Sequence, residues 1–331
     1  MYDILFLIFV IIAALAYDFV NGFHDAANAI ATSIASNALQ PRAAILLATT
    51  FNFIGALSHT AVAYTIGKGV VDSSVITQEM LAAALVAAIA WNLVTWKWGL
   101  PSSSTHALIG GLIGAAVVGT HFDWSILMLP SIKKIMLAMI FAPIAAFILA
   151  LLVITVITWT LHRMQLRHRQ VNKRVKSLQI LSAAWMSFSH GMNDAQNAMG
   201  IITISLLTYG VIHQFEVPMP IRILCAASMG AGTLFGGWRI IRTITDELSG
   251  DEPMPVDGFS AQTSAGGVIF LLSLWGVPIS TSHAISSCVM GTTAAKRFGL
   301  VNWKIGGNML VAWLITIPAT VILAGLLTYV F

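Results

Sequence analysis

The sequence predicts an all-α integral membrane protein made of two inverted-topology repeats, each with a broken helix and a re-entrant helical hairpin. Three observations predict this fold. Of 331 residues, 57% are hydrophobic and only 9% are charged, whereas soluble proteins carry about 25% charged residues. Two polar motifs each occur twice in the chain, and one short basic segment separates the two copies. The composition therefore excludes an ordinary soluble globule.

Long apolar segments recur from one end of the chain to the other, for example at residues 4–17, 43–66 and 135–161. About 20 apolar residues are enough for a helix to cross the hydrocarbon. These segments are continuously apolar and rich in Leu, Ile and Ala, whereas a membrane β-strand alternates over about ten residues. We therefore expect helices, and we interpret the first segment as a span because no basic region precedes it.

The first repeated motif places an acid within an apolar segment. Asn-Gly-Phe-His-Asp-Ala-Ala-Asn-Ala at 21–29 returns as His-Gly-Met-Asn-Asp-Ala-Gln-Asn-Ala at 190–198. Each acid, Asp25 or Asp194, has a glycine three positions before it and an asparagine three positions after it. An ionisable residue at membrane depth is costly and marks a functional site by default. The glycines at 22 and 191 predict local unwinding, hence the expected broken helix.

The second repeated motif predicts a hairpin in each half. Gly-Leu-Pro-Ser-Ser-Ser-Thr-His at 99–106 corresponds to Gly-Val-Pro-Ile-Ser-Thr-Ser-His at 276–283. A polar break inside the hydrocarbon is tolerated only where protein surrounds it, so we interpret the hairpins as re-entrant. Three full crossings then remain in each half, and an odd number makes the halves inverted. If each hairpin instead crossed fully as a single broken span, each half would have an even number of crossings and the halves would be parallel, which fits the charges less well.

The basic segment divides the chain. Residues 162–176 hold six Lys or Arg and no acid, so the positive-inside rule predicts a cytoplasmic linker. The expected organisation is a first transmembrane repeat at 1–160, the linker at 161–176 and a second repeat at 177–331, with both termini outside. Because the basic residues cluster here, membrane topology explains the net charge of +4 better than a nucleic-acid partner does.

The two motifs predict complementary chemistry. Carboxylate and amide oxygens spaced i and i+3 lie on one helical face and suit a sodium ion, or the acid carries a proton. Hydroxyls after a proline and before an apolar run cap a helix start, where free amides favour an anion. Simple helix capping and helix–helix hydrogen bonding are the structural alternatives. Because two acids would repel an anion in a low dielectric, we expect cations to bind together with the anion.

The paired Gly-x-x-Asp-x-x-Asn-Ala motifs and the two hydroxyl motifs resemble the inorganic phosphate transporter (PiT) family over essentially the full chain. The resemblance implies a phosphate symporter driven by sodium or protons, with two inverted repeats, re-entrant hairpins and a homodimer. Because the polar residues concentrate at one depth, we expect a midplane site and alternating access. We also expect a plasma-membrane location, no enzyme activity and no cofactor besides the coupling ions. One departure is Ile279, which cannot supply the hydroxyl that the first half has, so the anion cradle is expected to be asymmetric.

Motif positions carry the family's roles onto this chain. The implied coupling-ion residues, which are metal ligands if the ion is sodium, are Asp25, Asn28, Asp194 and Asn197. The implied phosphate-binding residues are Ser103, Ser104, Thr105, Ser280, Thr281 and Ser282.

Other functions stay open at this point. Sulfate is a tetrahedral oxyanion of similar size, so a sulfate symporter is the main alternative. An anion channel would need a continuous polar pore, and here the polar residues concentrate at one depth. A membrane enzyme could use two aspartates as acid and base, but no nucleophile, metal-ligand cluster or nucleotide loop accompanies them.

Overall fold

A computed structural model describes residues 2–164, 168–235, 238–244, 248 and 253–331. Twelve α-helices account for most of this part of the chain, and two single 3₁₀ turns lie at Trp124–Ile126 and Phe298–Leu300. The helices are α1 Tyr2–Ala35, α2 Pro41–Ser58, α3 Ala61–Lys68, α4 Gln78–Lys97, α5 Ser104–Gly119, α6 Leu129–Arg163, α7 His168–Thr208, α8 Met219–Phe235, α9 Trp238–Arg242, α10 Pro255–Leu274, α11 Thr281–Lys296 and α12 Trp303–Thr328. The predicted all-α class is confirmed.

The order of elements in the first half recurs in the second. Helices α4 and α10 each have 20 residues, and α5 and α11 each have 16. A 3₁₀ turn follows α5 and another follows α11, and a long helix with an internal proline comes next in both halves. The duplication that the motifs indicated therefore extends to the arrangement of helices along the chain.

Several helices are long and apolar enough to cross a membrane. Within the described residues these are 4–35 of α1, all of α4, all of α6 and all of α12. Helices α2 and α3 pass the same test as a pair, with a bend of 70° between them. Helix α4 is thus long enough to cross by itself, although the sequence predicted it as one arm of a hairpin.

The predicted broken helix at the Asp motifs is wrong. Helix α1 runs without interruption through Asp25, and α7 runs without interruption through Asp194. The break lies instead between α2 and α3, where Gln196 of α7 accepts a hydrogen bond at 3.0 Å from the backbone N–H of Ala63. No backbone carbonyl is therefore released by unwinding at Asp25 or Asp194.

The glycines of the Asp motifs permit close packing. A Cβ atom on Gly22 would lie 2.2 Å from the carbonyl oxygen of Met229 in α8, and one on Gly191 would lie 2.1 Å from the carbonyl oxygen of Asn52 in α2. Small residues allow helix backbones in membranes to approach closely. Each Asp-bearing helix therefore packs against the second helix of the other half.

Both predicted hairpins are helical on each side of a polar break. The break after α4 spans 98–103 and the break after α10 spans 275–280. Each contains a glycine with positive φ, 69° at Gly99 and 64° at Gly276, which is a conformation that glycine adopts without a Cβ penalty. The carbonyl of each glycine accepts a threonine hydroxyl from the other half, from Thr243 at 2.8 Å and from Thr65 at 2.6 Å.

The open ends of the two hairpins contact different parts of α7. Gln78, at the start of α4, exchanges hydrogen bonds of 2.9 and 2.6 Å with Ser205 near the C-terminal end of α7. Gln262, in α10, accepts from Ser182 in the N-terminal half of α7 at 2.8 Å. The 41 residues of α7 extend roughly 60 Å at 1.5 Å per residue. Ser182 and Ser205 lie on opposite sides of Asp194 along α7, so the two hairpins contact this helix on opposite sides of the acid.

The predicted linker is partly helical, because α6 ends at Arg163 and α7 begins at His168. Residues 165–167, including Arg167, lie outside the described part of the chain, as do the side chains of 168–174. Lys176 donates to the carbonyl of Asn37, just after α1, at 3.0 Å. The linker and the C-terminal end of α1 thus lie at the same end of the molecule.

The packing predicts that a methyl group between the halves is destabilising. A Cβ on Gly232 of α8 would lie 2.0 Å from the carbonyl oxygen of Phe19 in α1. We expect Gly232→Ala to lower the free energy of unfolding by ~1–3 kcal/mol, the usual cost of overpacking, measured as thermal stability in detergent. Gly267→Ala in α10 is the control, since nothing lies within 4 Å of its added Cβ. Equal stability of the two variants would contradict the close approach.

Candidate functional site

The N-termini of α5 and α11 meet at the carboxylate of Asp25. Ser104, the first residue of α5, donates to Asp25 Oδ2 at 2.8 Å. Ser282, in the first turn of α11, donates to Asp25 Oδ1 at 2.7 Å. All three side chains are buried. A carboxylate of the first half therefore takes hydroxyl donors from the hairpins of both halves.

Asp194 lies in the corresponding environment in the second half. Thr281, the first residue of α11, donates to Asp194 Oδ2 at 3.2 Å. Asn193 donates to Asp194 Oδ1 at 2.6 Å and to the carbonyl of Ile279 at 2.8 Å. The bond from Thr281 to Asp194 thus has the same place in the repeat as the bond from Ser104 to Asp25.

The two motif asparagines connect the halves in a reciprocal way. Asn28 donates to Ser282 Oγ at 2.8 Å, and Asn197 donates to Thr105 Oγ1 at 2.8 Å. Thr105 and Ser282 are equivalent positions of the two hydroxyl motifs. Each asparagine therefore binds the hairpin of the opposite half, and the site is built from both halves together.

The amide oxygens of both asparagines are available for a ligand. Asn28 Oδ1 and Asn197 Oδ1 are buried, and neither has a hydrogen-bond partner among the described residues. A buried polar atom without a partner costs free energy and calls for an explanation. Two carboxylates and two free amide oxygens in one region form a set of hard oxygen ligands, which suits a small cation.

Two of the predicted phosphate-binding hydroxyls act as helix caps. Ser103 Oγ accepts from the backbone N–H of His106 at 3.1 Å, and Ser280 Oγ accepts from that of His283 at 3.2 Å. This is the ordinary N-cap bond. Ser103 and Ser280 thus cap their helices, while the next two hydroxyls of each motif bond to the acids and asparagines; phosphate binding by Ser103 and Ser280 stays a prediction.

The histidines of the hydroxyl motifs pack the two hairpins together. The rings of His106 and His283 lie 5.1 Å apart, edge to face. His283 also stacks on Trp313 of α12 at 3.9 Å between ring centroids. Trp313 in turn donates to the carbonyl of Pro101 at 2.9 Å. These contacts hold the hairpin tips against each other.

Two other histidines contact the acids, and the sequence assigned them no role. His24 Nδ1 lies 3.0 Å from Asp25 Oδ1, and His190 Nε2 lies 3.2 Å from Asp194 Oδ2. One ligand atom each from Asp25, His190 and Asp194 fall within 4.8 Å of one another. The spacing of His190 and Asp194, i and i+4 on one helical face, was the available signal in the sequence.

This arrangement can hold charges of both signs. Hydroxyl donors and the partly positive N-termini of α5 and α11 favour an anion. The acids and the free amide oxygens beside them favour cations. In the present arrangement the hydroxyls donate to the acids, so an anion that takes these donors leaves the carboxylates in need of cations.

The chain is similar in sequence to proteins of one known family. Residues 21–324 match the model of the phosphate transporter family. A protein of Bacillus subtilis named as a probable low-affinity inorganic phosphate transporter is 42% identical over 326 residues, which cover 98% of this chain and 96% of the relative. A Rhizobium meliloti protein of the same name is 41% identical over 322 residues, 97% of this chain and 95% of the relative.

A solved structure has the same fold. It is named "the sodium-dependent phosphate transporter", and it matches with a TM-score of 0.85 and 22% identity over 98% of each chain. The apolar helices and the matches together identify a multi-pass membrane protein. The relatives are named as transporters, which agrees with the expectation that the chain is not an enzyme.

The reciprocal bonds predict energetic coupling between the halves. We expect Asn28→Ala and Ser282→Ala to be non-additive by about 0.5–3 kcal/mol in unfolding free energy, as for residues in direct contact. Chemical unfolding of the two single variants and the double variant in detergent measures this coupling. Pairing Asn28→Ala with Thr155→Ala is the control, because Thr155 is exposed on α6 and donates only to Leu151 at 2.6 Å. Additivity of the first pair would contradict the bond.

Proposed function

The chain belongs to the phosphate transporter family, and we propose that it imports inorganic phosphate across the plasma membrane by symport with sodium ions or protons. The resemblance noted in its motifs is thus confirmed at the level of the family. The observation that carries the proposal is the pair of asparagines, each bonded to the opposite half and each with a free amide oxygen beside an acid.

Phosphate binds at the hairpin tips in this proposal. Four hydroxyls rotate from the acids and asparagines to the phosphate oxygens, namely those of Ser104, Thr105, Thr281 and Ser282. Ser103 and Ser280 cap α5 and α11, whose N-termini point toward the phosphate. Hydroxyls and helix N-termini are ordinary phosphate ligands. The proposed phosphate site is asymmetric because Ile279 occupies the position equivalent to Ser102 and has no hydroxyl. Its backbone carbonyl already accepts a hydrogen bond from Asn193.

The coupling ions bind beside the phosphate. Asp25 with Asn28, and Asp194 with Asn197, supply carboxylate and amide oxygens, the ligands that a hard cation prefers. Like charges repel strongly in a low dielectric, so cation and anion each raise the affinity for the other. The neighbour of the same fold is named as sodium-dependent, which favours sodium over protons as the coupling ion here.

The transport cycle follows from the way the halves share the site. We propose that 1–160 and 177–331 are inverted repeats, that α4–α5 and α10–α11 are re-entrant hairpins, and that alternating access separates their tips. Three features support this: the tips are buried, the hairpins contact α7 on opposite sides of Asp194, and each acid-bearing helix packs on the other half. Alternating access in such folds is movement of one repeat against the other.

The orientation in the membrane follows from the linker. With 161–176 cytoplasmic, the C-terminal end of α1 is also cytoplasmic, because Lys176 contacts Asn37. One crossing by α1 then leaves the N-terminus outside, and inversion leaves the C-terminus outside as well. The homodimer implied by the family resemblance remains part of the proposal.

Uptake into proteoliposomes tests the function. We expect labelled phosphate to accumulate against its gradient only when an inward sodium or proton gradient is imposed, because the acids need cations to accept the anion. Replacing sodium at constant pH identifies the ion, and competition by sulfate tests the alternative substrate. Equilibration of phosphate without either gradient would indicate a channel and overturn the proposal.

Neutralising the acids should abolish coupling. Asp25→Asn and Asp194→Asn keep the shape of the side chain but remove the charge that holds the cation, so we expect uptake to fall by more than about tenfold, within the usual range of coupling energies. Asp72→Asn is the matched control, because the Asp72 side chain is exposed and accepts a hydrogen bond from the backbone N–H of Ser74, in its own loop, at 2.9 Å. Near-normal uptake in either site variant, with the protein folded, would refute the assigned role.

Labelling of equivalent positions tests the inversion. Trp124 and Phe298 each begin a 3₁₀ turn at the same place in the repeat, and both are exposed. In a background with Cys225→Ala and Cys288→Ala, we expect a membrane-impermeant thiol reagent to label Trp124→Cys from outside and Phe298→Cys only from the cytoplasm. Labelling of both from the same side would indicate parallel halves.

A further inference from the structure

A third Asp-x-x-Asn pair lies on α1 and belongs to neither repeated motif. Asp18 and Asn21 have the same spacing as Asp25 with Asn28, and they precede that pair by seven residues. Seven residues are two turns of helix, so the two pairs lie on one face, roughly 10 Å apart along the axis. The sequence motifs did not reveal this pair, because the second half has Ser187 and His190 at the equivalent positions.

The side chains of this pair are buried without partners. Asp18 and Asn21 are both 0% exposed. Neither oxygen of Asp18, and neither the oxygen nor the nitrogen of Asn21, has a hydrogen-bond partner in the part of the chain that the structure describes. Native proteins rarely leave such atoms unsatisfied. Four unpartnered atoms on two neighbouring side chains therefore indicate a ligand.

The surroundings of Asp18 are electrostatically unfavourable for a bare carboxylate. Asp194 on α7 interacts with Asp18 as a like charge, and Cys225 on α8 also lies within electrostatic range of Asp18. Among the described residues, no Lys, Arg or His forms an ion pair with Asp18. A buried charge needs a partner or a bound cation. The protein supplies no such partner in its described residues, so a cation from outside is the candidate.

The equivalent position in the second half has no such need. Ser187 donates its hydroxyl to the carbonyl of Ala183 at 2.7 Å, within its own helix. His190 takes the place of Asn21 and contacts both Asn52 and Asp194. At these positions the second half therefore has side chains that contact other groups of the protein, whereas the first half leaves a carboxylate and an amide without partners.

We propose that Asp18 and Asn21 hold an additional small monovalent cation, of which sodium is the probe, separate from the ions at Asp25 and Asp194. A proton on Asp18 satisfies one oxygen and leaves Asn21 unpartnered, whereas a cation contacts carboxylate and amide oxygens at once. The inference adds a site to the proposed symport, but cation binding at Asp18 does not itself require phosphate transport.

Sodium binding to the purified full-length protein tests the inference. In phosphate-free detergent solution, we expect Asp18→Asn and Asp18→Ser each to lower the radiolabelled sodium bound at saturation by about one ion per chain, because each removes the charged ligand. Asp18→Ser introduces the residue found at the equivalent position of the other half. Ser187→Ala is the matched control and should leave sodium binding unchanged.

A variant of Asn21 tests the site independently of whether the Asp18 variants fold. Asn21→Leu keeps the volume of the side chain but removes the amide oxygen, so it should weaken binding of that one ion by more than about tenfold while the remaining sites keep their affinity. Monodisperse elution of each variant is required before its sodium binding is scored. Reduced binding in Asn21→Leu alone still supports the site if both Asp18 variants fail to fold.

Two outcomes overturn the inference. One is unchanged sodium binding in every folded variant of Asp18 and Asn21. The other is unchanged sodium binding together with an altered pH dependence of phosphate uptake in Asp18→Asn, which would make Asp18 a proton carrier. Failure of phosphate uptake in the unmodified protein would instead refute the proposed function, and it would leave the binding measurement valid.

Discussion

A carboxylate inside a membrane needs donors or a cation, and the structure depends on how Asp25 meets this requirement. Ser104 and Ser282 bring the N-termini of α5 and α11 to its two oxygens. Because one serine comes from each half, the halves cannot move apart without breaking a bond to a buried charge. Desolvated charges make such bonds expensive to break. The same atoms therefore stabilise the contact between the halves, and in the proposed transport cycle the ligands that bind there control its opening.

The local sequence around Gly22 and Gly191 is not enough to predict whether the helix unwinds there. A glycine three residues before an acid fits a helix that unwinds at an ion site, and it fits equally well a helix that packs closely against another backbone. What decides is the carbonyl of Met229 at 2.2 Å from the Cβ position of Gly22, and Met229 lies in the other half of the chain. Helices α1 and α7 accordingly release no backbone carbonyl by unwinding at the acids, and the side-chain amides of Asn28 and Asn197 supply unpartnered oxygens.

The duplication made much of the fold predictable. The helical class, the two hairpins and the burial of the acids follow from apolar length and from motifs that occur twice. The partners of Asn28 and Asn197 could not be predicted, because each bonds across 254 or 92 residues of sequence. Duplication does not reveal Asp18, which has the same Asp-x-x-Asn spacing but has a serine as its counterpart in the second half.

The three acids are distributed unequally between the two halves, and this affects the number of cations that the site requires. Asp194 acts on Asp18 as a like charge, and all three acids, Asp18, Asp25 and Asp194, lie within electrostatic range of the buried Tyr17. Of the described basic groups, only His24 and His190 contact Asp25 or Asp194. A phosphate adds a further one or two negative charges at neutral pH. Such an accumulation of negative charge is strongly unfavourable in a low dielectric, and we therefore propose that more than one cation accompanies each phosphate. The first half holds two of these acids and the second half holds one. The first half therefore holds most of the carboxylate charge that the cations balance.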